Sequence, residues 1–80
     1  MADDVTSRVI RVIAEAQRIP VDTVKPDSSF EQLKIDSLDG ITIVFAIENE
    51  FNINVPDESA KTLRSVADVV AGVEKLLAGA

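Results

Sequence analysis

Asp36-Ser37-Leu38-Asp39 sets one hydroxyl between two carboxylates, directly ahead of a long apolar run. A serine there can do two kinds of chemistry. It can cap a helix, since Ser and Asp are favoured N-caps and such a cap contributes about 1 kcal/mol. It can also serve as an attachment point, because a helix N-terminus is exposed and favours an anion such as a phosphodiester. The two roles are compatible. Other reactive side chains are missing: the chain has no histidine and no cysteine. The usual general base, the soft nucleophile and the commonest zinc ligands are therefore absent. Catalysis by this chain alone is not expected, and no catalytic or metal-ligating residue is assigned.

The elements that must position Ser37 belong to a chain of 80 residues, a length that suits one domain spanning 1–80. Hydrophobic residues make up 46% of it, enough for one core, and no disulfide can assist that core. Absence of cysteine fits a reducing, cytoplasmic location. Met1-Ala2-Asp3-Asp4 is acidic and precedes amphipathic sequence, so a signal peptide is not expected. No apolar run approaches the length of a membrane span. The net charge of −6 argues against nucleic acid as a partner.

That charge is concentrated. Asp36, Asp39, Glu48, Glu50, Asp57 and Glu58 lie between residues 36 and 58 with no Lys or Arg among them, while acids and bases balance over the rest of the chain. A segment of one sign can be a solvated helix face, or it can steer a basic partner.

Helical periodicity dominates and no period-2 strand competes. Val5, Val9, Val12, Ile13 and Ala16 predict a first helix over about 4–18, started by Asp3 and Asp4 and ended at Ile19-Pro20. Residues 20–36 form a long connection that Val21, Val24, Phe30, Leu33 and Ile35 should pin to the core, with a capping box from Ser28 to Glu31. The second helix should run from about Ser37 to Phe51. Pro56-Asp57-Glu58 opens a short third helix ending near Leu63, and Ser65 with Asp68 caps a last helix over 66–78. The expected fold is all-α: a small four-helix bundle with a long helix 1–helix 2 loop and a short third helix.

The second helix carries two apolar stripes. At about 100° per residue, Ile43, Ile47 and Phe51 share one side, while Leu38, Ile41 and Phe45 point largely away from it. One stripe suffices for the core of so small a bundle. The first is assigned to the core. The second, bordered by Asp39, Glu48 and Glu50, has the pattern of a docking surface.

Residues 30–58 closely resemble the acyl carrier proteins. The family's hallmark Asp-Ser-Leu is met as Asp36-Ser37-Leu38, followed by the acid Asp39, an apolar-acidic helix, the ending Glu48-Asn49-Glu50-Phe51, and Pro56-Asp57-Glu58. Ser29-Phe30 and Leu33 fit the family's loop, and the flanking helical patterns fit too. The resemblance implies that a phosphopantetheinyl transferase, using coenzyme A and Mg²⁺, places 4′-phosphopantetheine on the matching serine, Ser37, with Asp36 beside it to position that enzyme. The arm's thiol then carries an acyl group as a thioester. Leu38, Ile41 and Phe45 would give apolar docking; Asp39, Glu48 and Glu50, extended by Asp57 and Glu58, would steer acyl-loading, elongating and acyltransferase enzymes with basic surfaces. Ile43, Ile47, Leu63 and the last helix's valines would shelter the acyl chain. A monomer is expected.

Lys34 stands where the family usually has Gly, and Gly40 where it has a larger residue. Thr42, Asn49 and Asn52 stand where fatty-acid-synthesis members often carry acids. These departures point to a specialised carrier of a long or unusual acyl chain or of a secondary metabolite. Peptidyl or D-alanyl carrier proteins share the arm and the serine, but the charged second helix favours acyl cargo. An unmodified helical interaction module would use Ser37 only as a cap. An EF-hand fails, because Gly40 is out of register with an acid-led loop.

Overall fold

A computed structural model describes residues 4–79. Four α-helices appear in it, α1 (Val5–Gln17), α2 (Ser37–Phe51), α3 (Asp57–Lys61) and α4 (Val66–Gly79), with a single 3₁₀ turn at Val21–Thr23 in the long loop. Helix α1 is the hub against which α2 and α4 both pack. Its N-cap is Asp4, whose carboxylate accepts the Ser7 N–H at 2.8 Å. That backbone bond holds the Asp4 carboxyl below its ordinary range. Asp3, the other acid expected at this cap, lies outside the described residues.

The core joins every long element. Val9, Val12, Ile13 and Ala14 come from α1, Ile43, Ile47 and Phe51 from α2, and Val66, Val69 and Val73 from α4. Val24 and Ile35 bury the long loop, with Phe30 and Leu33 packed half-buried against the same cluster. Val21 departs from expectation: it sits on the 3₁₀ turn and is exposed.

The loop is stitched to the start of α4. Phe30 N–H donates to the Arg64 carbonyl at 2.8 Å and Val66 N–H to the Ser28 carbonyl at 2.9 Å. An isolated antiparallel bridge, Ser29 to Ser65, results. This corrects the Ser28–Glu31 capping box. Ser28 is buried, and its hydroxyl accepts the Lys25 N–H. The reciprocal box forms one residue later: Ser29 Oγ accepts Gln32 N–H at 3.0 Å, and Gln32 Oε1 accepts Ser29 N–H at 2.9 Å. At α4 the expected cap is present, with Ser65 Oγ accepting Asp68 N–H and the Asp68 carboxylate accepting Arg64 N–H.

Lys34 adopts φ 59 on the approach to α2. The left-handed region costs a residue with a Cβ roughly 1–2 kcal/mol. Glycine escapes that cost but loses about 0.5–1 kcal/mol in chain entropy. Lys34→Gly is therefore expected to stabilise the fold by up to about 1 kcal/mol. A higher urea midpoint at unchanged slope is the expected result; a midpoint that stays or falls would show that the lysine side chain compensates for its backbone.

Candidate functional site

The capping work at α2 falls to Asp36, not to Ser37. Asp36 has extended backbone angles, its Oδ1 accepts the Asp39 N–H at 2.9 Å, and its carbonyl accepts the Gly40 N–H at 2.8 Å. Ser37 is thereby the first residue inside the helix. It is exposed, and among the described residues no hydrogen bond engages its hydroxyl. The first-turn N–H groups of Ser37 and Leu38 face outward at the positive end of the helix dipole. An anion near Ser37 Oγ would meet a favourable field there.

Beside this serine lies an open, largely apolar groove of about 1600 Å³, with Asp36 and Ser37 on its rim. Val44 of α2, Leu63 and Leu76 of α4 line its accessible surface, and Ile43, Ile47, Val69 and Val73 lie closed beneath it. It opens because α2 and α4 each pack on α1 more closely than on each other, and because α3 buries no side chain. Gly40 and Gly72 also line the groove, and nothing lies within 4 Å of where a Cβ would stand on either.

The outward stripe of α2 is in solvent: Leu38 is 75% exposed, Ile41 52% and Phe45 65%, against 1% for Ile43 and 2% for Ile47. The acids near it differ in role. Asp57 and Glu58 are exposed at the start of α3, where the helix dipole favours them. Asp39 is half-buried at the first turn of α2. Glu48 borders the stripe, at about −20° from Ile41 and on the side away from Leu38 and Phe45, whereas Glu50 falls about opposite it. The Glu50 carboxylate is paired with Arg8, Oε2 to Nε at 3.0 Å, and its carbonyl accepts from Arg8 Nη2 at 3.1 Å. The same guanidinium stacks 4.4 Å from the centre of the Phe51 ring. Glu50 thus fastens α2 to α1 and does not stand free beside the exposed stripe. No sequence signal identified this pairing, because its partners are 42 residues apart.

Among the described residues no group of three or more acids stands close enough to hold a metal ion, and no helix is long and apolar enough to cross a membrane.

The family model for the phosphopantetheine attachment site matches residues 7–73, which defines the class: a carrier domain built around a covalently attached arm. The chain is 44% identical over 78 residues to the acyl carrier protein of Akkermansia muciniphila, covering 95% of this chain and 98% of that one. It is 44% identical over 69 residues to the acyl carrier protein of Rickettsia bellii, covering 85% and 80%. A mitochondrial acyl carrier protein of Dictyostelium discoideum is 38% identical over 90% of this chain, which spans 60% of that protein's length. The crystal structure of the acyl carrier protein of Thermotoga maritima superposes with a TM-score of 0.79 at 29% identity, covering 90% of this chain and 85% of that one. The chain belongs to the acyl carrier protein family. Such proteins are carriers and not enzymes, their prosthetic group is 4′-phosphopantetheine, and they work with a phosphopantetheinyl transferase and biosynthetic enzymes.

Proposed function

We propose that the chain, acting as a monomeric single domain over residues 1–80, bears 4′-phosphopantetheine on Ser37 Oγ and presents an acyl group to enzymes of fatty-acid, lipid or polyketide assembly in the cytoplasm. The observation that carries this reading is the division of labour at the start of α2: Asp36 caps the helix, and the Ser37 hydroxyl is left exposed on the rim of an apolar groove. The attached group supplies the thiol that a chain without cysteine lacks, and holds the acyl group there as a thioester.

The chain's own residues do the rest. Asp36 fixes the backbone of the first turn, so that Ser37 is held at the groove's rim with its hydroxyl unengaged for the transferase. Leu38, Ile41 and Phe45 offer an apolar surface to a partner, and Asp39, Glu48, Asp57 and Glu58 surround it with negative charge that steers a basic one. Ile43, Ile47, Leu63 and Val69 exclude water from a chain lying in the groove. The side-chain space left at Gly40 and Gly72 supports a long or bulky cargo, with a stability gain that rises with acyl chain length as its expected signature.

Intact mass after incubation with coenzyme A, Mg²⁺ and a broad-specificity phosphopantetheinyl transferase tests the attachment. The parent is expected to gain one phosphopantetheine and Ser37→Ala none. Because the cap belongs to Asp36, Ser37→Ala should melt as the parent does. A gain in the alanine variant, or none in a folded parent, would remove Ser37 from the role.

A further inference from the structure

Glu48 borders the exposed stripe of α2, yet its carboxylate is already engaged. Oε2 accepts the Val55 N–H at 2.7 Å in a partly buried setting. The carbonyl of the same residue accepts the N–H of Asn52, the left-handed residue that ends α2, and that of Ile53 at 3.1 Å. The two carbonyl bonds are of a kind common at a helix end with a left-handed cap. The carboxylate bond is not: it reaches across seven residues, and bonds to an ionised acceptor are about twice as strong as neutral ones.

Ile53, Val55 and Pro56 line the groove on the side that leads into α3. Helix α3 buries no side chain of its own, so its place depends on how its two ends are held. Beyond its C-terminal end the Arg64 carbonyl takes the Phe30 N–H. At the other end Ile53 packs against the core cluster, and the Glu48–Val55 bond fixes the residue directly before Pro56.

We infer that Glu48 is a positioning residue for the acyl cargo: by fixing Val55 it sets how far α3 stands from α2, and so which chain lengths the groove takes. This rests on the reading that the groove shelters the acyl chain. The role requires an acceptor and not a charge, which separates it from steering. Glu48→Gln keeps an acceptor within reach of Val55 N–H and removes the charge. Glu48→Met keeps the stem and the helix propensity and removes the acceptor.

The test compares parent, Glu48→Gln and Glu48→Met by native-state hydrogen exchange at Val55, then by thermal melts of the forms loaded with acetyl and with octanoyl groups. Exchange at Val55 is expected to be at least about tenfold faster in Glu48→Met and within about threefold of the parent in Glu48→Gln. The parent and Glu48→Gln should melt higher with octanoyl than with acetyl, and Glu48→Met should lose that increment. Equal exchange at Val55 in all three proteins overturns the inference. So does a Glu48→Gln variant that loses the increment as Glu48→Met does, because charge would then be responsible. A parent that gains nothing from the longer chain overturns the sheltering reading, and the cargo role with it, whatever exchange shows.

Discussion

Ile47→Ala is expected to lower stability by about 3 kcal/mol, within the range of about 2–5 kcal/mol for removing a buried aliphatic side chain. Ile47 is 2% exposed and belongs to the core cluster that includes Val9, Ile13 and Val69. The loss combines the lost transfer of the deleted methyl groups out of water with the void left behind. α1 supports both α2 and α4, so the surroundings can collapse only partly into that void. A chain of 80 residues has a total stability of about 4–12 kcal/mol at usual values per residue. The substitution therefore removes a large share of it. At about 4–8 °C per kcal/mol, the melting temperature should fall by about 10–25 °C. A fall of less than about 3 °C, with an unchanged urea slope, would be too small for a packed site and would remove Ile47 from the core.

The bounds of α2 were legible because both of its ends carry local chemistry. Asp36 caps the first turn with its own carboxylate, and Asn52, a residue type that tolerates left-handed backbone, ends the last turn at φ 56. Its two faces were legible because a period of 3.6 residues separates Ile43, Ile47 and Phe51 from Leu38, Ile41 and Phe45 by geometry alone. The choice between Ser28 and Ser29 as the capping serine was not. Both satisfy a capping pattern, and what decides is the bond from Val66 N–H to the Ser28 carbonyl, which draws Ser28 inward. Nor was the division among the acids. Glu48, Glu50 and Asp39 look alike in sequence, but Val55, Arg8 and the helix start give them different work, and two of those partners come into reach only when loop and helix fold back. The groove shares this origin. It exists because α2 and α4 meet through α1 and α3 packs lightly, and neither fact has a local signature.

The opposite face of α2 should behave in the opposite way to Ile47. Phe45 is 65% exposed in the free protein, so Phe45→Ala gives up little buried area, and alanine is the better helix former by about 0.5 kcal/mol. Its melting temperature should stay within a few degrees of the parent's. Docking should not stay. If Leu38, Ile41 and Phe45 form the apolar centre of the surface a partner covers, the phenylalanine is its largest anchor, and truncating an anchor that becomes fully desolvated costs about 2 kcal/mol or more of binding. That corresponds to a fall of about 30-fold in kcat/KM for an enzyme that must dock to act. The measurement is kcat/KM for the transferase and for one acyl-loading enzyme, on parent and Phe45→Ala, with melts of both proteins. Rates preserved to within about twofold would take Phe45 out of the docking surface. Rates that fall only in step with the melting temperature would make its contribution one of folding. A fall at unchanged stability assigns the two stripes of one helix to two tasks: Ile43, Ile47 and Phe51 hold the bundle, and Leu38, Ile41 and Phe45 meet the enzyme.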